Sequence, residues 1–224
     1  MDTLPDVNTR RGGTEPPHAG FASGVSPKAK DSSVGVSVRY ALHPMKRWYV
    51  LRATYNRTLK AYGVLTEKGI EAYLPVHYVQ RDFNGKKKRI AEPLLPNLLF
   101  VYATSEEVET YVKRTPELSF LSYYYNHFQT DSAGKNRPLT IGYDDMMNFI
   151  RATCVDNGHV RIVSPEQCRF KGGDKVRVIE GAFAGVEGRV ARVSGQQCVV
   201  VDLKGVCLVA TAYIPTGFLM RITI

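Results

Sequence analysis

Regular alternation of apolar and polar positions is absent from the first part of the chain and then begins abruptly. Residues 1 to about 44 mix Gly, Pro, Ser, Thr and scattered charge, with neither a two-residue nor a 3.6-residue period. Such a segment buries too little apolar surface to offset its ordering entropy and is expected to be disordered. Patterning starts at Met45-Lys46-Arg47-Trp48, which makes Met45 an alternative translation start. RWYVLRATYN, rich in aromatic and β-branched residues, reads as a strand. Residues 57–68 place Leu59, Tyr62 and Leu65 at helical spacing, and Gly69 stands where a C-terminal cap belongs. IEAYLPVHYVQ is extended, and RDFNGKKKRI carries an Asn84-Gly85 turn between extended arms, a hairpin signal. PLLPNLLFVYAT reads as the next strand. Its Pro93 and Pro96 cannot donate to a ladder and belong at an edge or a strand start.

Ser105 is the expected cap of a second helix. Glu106 and Glu107 fill its first turn, Lys113 and Arg114 its last, as the helix dipole favours. SFLSYYYN reads as a further strand. A third helix opens at Asp144 and Asp145, with Met146, Phe149 and Ile150 on its inner face. Helices are thus expected to cover one side of a mostly antiparallel sheet in an α+β unit over residues 45–154. Residues 155–169 read as a polar linker. From residue 170 to 224, short Val-rich strands punctuated by Gly181, Gly185, Gly188, Gly195 and Gly205 suggest a small all-β barrel. Val199-Val200-Val201 favours strands over any helical alternative there.

Net charge of +9 and a pI near 9.4 favour a polyanionic partner, nucleic acid before membrane. No apolar run approaches the roughly 18 residues of a membrane span. Cys154, Cys168, Cys198 and Cys207 show no CxxC spacing and no histidine at ligand distance, so they read as reduced cytoplasmic thiols. The paired acids sit where helix starts want negative charge. No GxSxG, HExxH or phosphate-binding glycine loop occurs. The sequence therefore points to no enzyme, no metal and no cofactor.

Two motif sets carry a family resemblance. Arg47-Trp48-Tyr49-Val50 and Glu92-Pro93-Leu94-Leu95-Pro96-Asn97-Leu98-Leu99-Phe100-Val101 resemble the N-terminal domain of the NusG family of transcription elongation factors. Gly173-Asp174-Lys175-Val176-Arg177-Val178, Gly181-Ala182-Phe183-Ala184-Gly185 and Gly188-Arg189-Val190 resemble a KOW domain, an SH3-like barrel. The family's usual proline-glycine-tyrosine is here Pro96-Asn97-Leu98, which resembles specialised paralogues of the RfaH kind that serve long operons, among them those for surface polysaccharides, and the Tyr-rich N-terminal domain with its extra N-terminal segment resembles the UpxY-type antiterminators of capsule loci.

The resemblance implies an elongation and antitermination factor, a cytoplasmic monomer that binds the clamp helices of RNA polymerase's large subunit. Val50, Arg52, Leu94, Leu95, Pro96 and Leu98 occupy the matching docking platform. Taken without the motif, the same leucines read as ordinary core. Arg81, Lys86, Lys87, Lys88 and Arg89 form a basic hairpin, read either as a phosphate contact or as a solvated loop. Asn56, Arg57 and Lys60 stand at a helix start, where family paralogues hold non-template DNA, with Tyr55 as a stacking surface. Phe183, beside Gly185, either plugs the barrel mouth or meets a partner. In the family that partner is a small-subunit ribosomal protein or Rho. The rival reading is a ribosome-associated RNA-binding protein that shares only the KOW barrel.

Overall fold

The computed structural model describes residues 40–130, 134–155 and 160–222, without the side chains of 127–129 and 171–174. The expected disorder of residues 1–39 lies outside the described residues. The chain runs through β1 (Arg47–Ala53), α1 (Thr58–Glu67), β2 (Ala72–Tyr73), β3 (Val76–Phe83), β4 (Lys86–Pro93), β5 (Leu98–Ala103) and α2 (Ser105–Lys113). It continues through β6 (Leu121–Tyr123), β7 (Tyr125–Thr130), β8 (Asn136–Pro138), β9 (Thr140–Ile141) and α3 (Tyr143–Thr153). The C-terminal part holds β10 (Arg161–Val163), β11 (Arg169–Val178), β12 (Glu187–Val193), β13 (Gln196–Leu203), β14 (Cys207–Ala210) and β15 (Leu219–Ile222).

The N-terminal sheet has the order β2-β5-β1-β6, with β9 added to β1. β1 and β5 are antiparallel, with Trp48 opposite Tyr102 and Val50 opposite Phe100. Alternation sends Tyr49, Leu51, Leu99 and Val101 to one face, where Ala61 and Leu65 of α1 and Val108 of α2 cover them. It sends Trp48, Val50, Phe100 and Tyr102 to the other, where Met146, Phe149 and Ile150 of α3 pack. Helices therefore lie on both faces rather than on one, because α3 reaches the side that α1 and α2 leave open.

Two further expectations shift locally. The residue capping α2 is Thr104, not Ser105: its side chain accepts from the Glu107 amide while Glu107 accepts from the Thr104 amide, a complete capping box. In α1 the buried residues are Thr58, Ala61 and Leu65, whereas Leu59 points outward. Upstream of β1, Tyr40 is buried. Its ring meets Trp48 edge-on at 4.9 Å, and its hydroxyl donates to the Ala72 carbonyl at 3.0 Å. Packed structure thus starts before the boundary expected at residue 45.

The C-terminal strands form one antiparallel sheet in the order β10-β14-β13-β12-β11-β15. Gly188 is required at the β12–β13 crossing, since a Cβ there would lie 2.4 Å from the Val200 carbonyl oxygen. The segment expected to be a linker is built into this sheet. β10 pairs β14, and Val163 and Cys168 join Ala191, Val193, Cys198 and Val200 in a second apolar layer. Its apolar residues are spaced too irregularly to show a period in the sequence.

Candidate functional site

The platform segment is a tight turn. Leu98 donates its amide to the Leu95 carbonyl at 3.3 Å, with Pro96 and Asn97 at the centre and Asn97 at φ +62°. Pro followed by a left-handed residue is the pattern of a type II turn, in which glycine or asparagine is favoured at the second central position. That accounts for Asn97 where the family's usual glycine stands. The Asn97 carbonyl accepts from Ala53 at 2.8 Å, which fixes the turn to the end of β1. Arg52 stands directly opposite Leu98 and is exposed.

The turn is not an open apolar patch. Val50 and Leu95 are buried, at 0% and 6% exposure, Leu94 and Leu98 are half-buried, and only Pro96 and Arg52 face solvent. All four apolar side chains belong to a cluster that continues through Phe149 of α3 to Phe183, Val186, Val199 and Val201 of the C-terminal sheet. Phe183 is 6% exposed, so it is packed inward and does not stand ready for a partner.

The join between the two sheets is specific. The Asn148 side chain of α3 pairs with the Glu187 backbone as a strand residue would, donating to its carbonyl at 2.7 Å and accepting from its amide at 2.8 Å. A Cβ on Gly185 would lie 3.8 Å from Arg151, and one on Gly205 would lie 3.3 Å from Leu139. α3 is consequently buried on more than one face, with Met147, Ala152 and Thr153 enclosed beside the three residues expected. Asn148, Arg151 and Leu139 escaped sequence reasoning. The available signal was the spread of apolar residues around YDDMMNFIRAT, which is too wide for one interface. The Thr153 hydroxyl lies 2.6 Å from that of Tyr73, whose phenol burial pushes well above its usual range.

The basic hairpin stands apart from this join. β3 and β4 form a two-stranded ribbon whose Asn84-Gly85 turn has φ of +54° and +77°. Arg81 and residues 86–89 are exposed. Arg81 bonds Glu92 at 2.6 Å, Arg89 lies 4.1 Å over the Tyr78 ring, and Lys88 lies 5.9 Å over Phe83. The ribbon leads directly into the platform, with the Leu94 amide donating to the Pro75 carbonyl at 2.8 Å.

The third group, Asn56, Arg57 and Lys60, is exposed at the start of α1, which has no acid in its first turn. Tyr55 and Asn56 both have positive φ, and Tyr55 is 84% exposed. Arg57 lies 5.6 Å from the Tyr55 ring and 5.3 Å from that of Phe120.

Burial raises the thiols of Cys154, Cys168 and Cys198 and pushes that of Cys207 up to about 12, so none is a neutral-pH nucleophile. Among the described residues no three metal-ligating side chains converge, and no helix is long and apolar enough to cross a membrane.

Residues 46–148 match the family model described as "Transcription termination factor nusG". The chain is similar to the transcription termination/antitermination protein NusG of Lactococcus lactis, 22% identical over 170 residues, spanning 70% of this chain and 84% of that one. It resembles NusG of Streptococcus pyogenes serotype M1 at 24% identity over 163 residues, spanning 68% and 83%. A solved structure described as "Domain interaction in Thermotoga maritima NusG" aligns over 80% of this chain and 98% of that chain, with 17% identity and a TM-score of 0.40.

Proposed function

We propose, for a chain that belongs to the NusG family of transcription termination and antitermination factors, that it docks on RNA polymerase through the Leu94–Leu98 turn and the adjoining end of β1. It is a transcription factor, not an enzyme. Docked there, it holds the elongating form of polymerase against the paused form, an effect set by its differential affinity for the two. The observation that carries the reading is the continuity of one segment. An exposed basic hairpin runs without a break into the turn that carries Leu94, Leu95 and Leu98, and exposed Arg52 of β1 stands opposite Leu98.

The proposed partner surface on polymerase is the clamp helices of the large subunit. Exposed Asn56, Arg57 and Lys60 beside Tyr55 suit non-template DNA. The C-terminal sheet, read as a KOW barrel, offers Phe183 and the Gly185 loop to a small-subunit ribosomal protein or Rho. The asparagine in the turn supports an operon-specific role. Leu95 and Phe183 share one closed cluster, so both contacts require the seam at α3 to part first.

Single-round transcription with purified polymerase tests the reading. Wild-type protein is expected to raise terminator read-through, and Arg52→Glu, on an exposed position, is expected to remove most of that gain while leaving the thermal melt unchanged. Wild-type activity in Arg52→Glu would remove the platform. Leu95→Asp is a poorer probe than its place in the motif suggests, because a carboxylate at a buried site also destabilises the fold.

A further inference from the structure

The outer face of the C-terminal sheet is covered by the chain itself over only part of its area. Val163 and Cys168 close it above Ala191, Val193, Cys198 and Val200, with Phe170 packed against them. Past that layer the register sets two rows across β12, β11 and β15. Glu187, Arg177 and Met220 form one, and Arg189, Lys175 and Ile222 the other. Val176 and Val178, the intervening residues of β11, are buried in the core, so both rows lie on the face turned away from it.

These rows put apolar side chains beside positive charge. Met220 is 46% exposed and Ile222 is half-buried. Ile179, whose amide donates to the Phe218 carbonyl at 2.9 Å in continuation of the same pairing, is 47% exposed. β15 is the edge strand, so no strand of the sheet borders Met220 and Ile222 on their far side. Within the two rows Glu187 is the one acid. Arg177 and Lys175 bond it at 2.6 and 3.0 Å, while the Arg189 guanidinium lies 4.2 Å over the Phe170 ring. Glu180 is exposed in the bend past Ile179.

Charge alone would keep an open sheet edge from self-association. Apolar side chains left in water beside that charge suit a partner that brings both apolar and negative groups. A nucleic-acid backbone would meet the cations and leave Ile179 and Met220 in water. Ile179 is four residues on from Lys175, which stands opposite Ile222. That separation is about 13 Å of strand, close to two turns of α-helix at about 11 Å. A helix laid along β15 can therefore set positions i, i+4 and i+7 against Ile179, Met220 and Ile222. Acids flanking that stripe would face Arg177, Lys175 and Arg189.

We propose that this face, through Ile179, Met220 and Ile222 with Lys175, Arg177 and Arg189 beside them, docks an acidic amphipathic helix of a partner protein. It uses neither the Leu94–Leu98 turn nor Phe183, and it does not rest on polymerase docking.

The test is fluorescence anisotropy on full-length protein across a range of KCl. The probe is a short labelled helical peptide with Leu at i, i+4 and i+7 and Glu on either side of that stripe. One control peptide carries Ser for each Leu, the other Gln for each Glu. Wild-type protein is expected to bind the probe at least about tenfold more tightly than either control, with an affinity that falls as salt rises. Ile179→Ser with Met220→Ser, at exposed positions, should weaken the probe by about tenfold and leave the thermal melt unchanged. Arg189→Gln should weaken it less and flatten its salt dependence. Lys86→Glu, Lys87→Glu and Lys88→Glu together should not change it. If the serine variant fails to fold by circular dichroism, the salt dependence of Arg189→Gln decides. Equal affinity for the probe and the Ser peptide, as a general polyanion site would show, or no binding of the probe at all, would overturn the proposal. So would wild-type affinity in the folded serine variant, an unchanged salt dependence in Arg189→Gln, or loss of probe binding in the hairpin variant.

Discussion

The two faces of the N-terminal sheet are closed in different ways. One is sealed by α1 and α2, which follow closely in the chain and bring Ala61, Leu65 and Val108 onto Leu51, Leu99 and Val101. The other carries Trp48, Val50, Phe100 and Leu95 and is completed by α3 together with Phe183, Val186 and Val201 of a separate sheet. The first face has no alternative cover and behaves as core. The second is covered partly by an element with its own sheet, held at identifiable points such as the Asn148–Glu187 pairing. An apolar surface closed by a separable element can be exchanged for a partner, which a self-sealed core cannot.

The largest expected effect separates the faces. Leu65→Ala, at a fully buried position on the self-sealed face, should cost about 2–5 kcal/mol and lower the melting temperature, with no gain in polymerase affinity. A gain would mean that the faces are not distinct. Phe183→Ala removes a ring from the shared cluster. Its expected result is a rise in polymerase affinity and faster amide exchange across the α3 seam, while β1 and β5 stay protected. Simultaneous loss of protection in β1 and β5 would show that the two sheets form one cooperative unit.

Asn148→Ala is subtler. It deletes both bonds to the Glu187 backbone and should shift the equilibrium toward the parted form by about 1 kcal/mol, read as a several-fold tighter polymerase complex. Smallest is Thr104→Ala, which breaks the α2 capping box for about 1 kcal/mol without touching either proposed contact surface. The Glu107 carboxyl is held below its usual range mainly by the Thr104 amide. Its contribution is therefore present above the unfolded-state pKa and is lost as pH falls through the lower folded value. Glu107→Gln should flatten the acid limb of a pH-melting profile, and an unchanged limb would remove that assignment.

Where the physics is local, the sequence determined the outcome. Asn84-Gly85 set a hairpin because two consecutive left-handed residues suit asparagine and glycine. Pro96-Asn97 set the platform turn for a related reason, and alternation in RWYVLRA fixed which side chains share a face. Tertiary structure decided the rest. Whether Leu95 is platform or core depends on what lies over it, and the cover comes from Phe183 and its neighbours, far along the chain. The Asn148–Glu187 contact satisfies backbone groups through a side chain, leaving no hydrophobic period to read. The irregular stretch around Val163 and Cys168 became a packed layer only because β12 and β13 offered a second apolar face. Sequence pattern records which surfaces must leave water. Which surfaces meet is set by the long-range closure of the chain, because burial is non-directional and any apolar face can satisfy another.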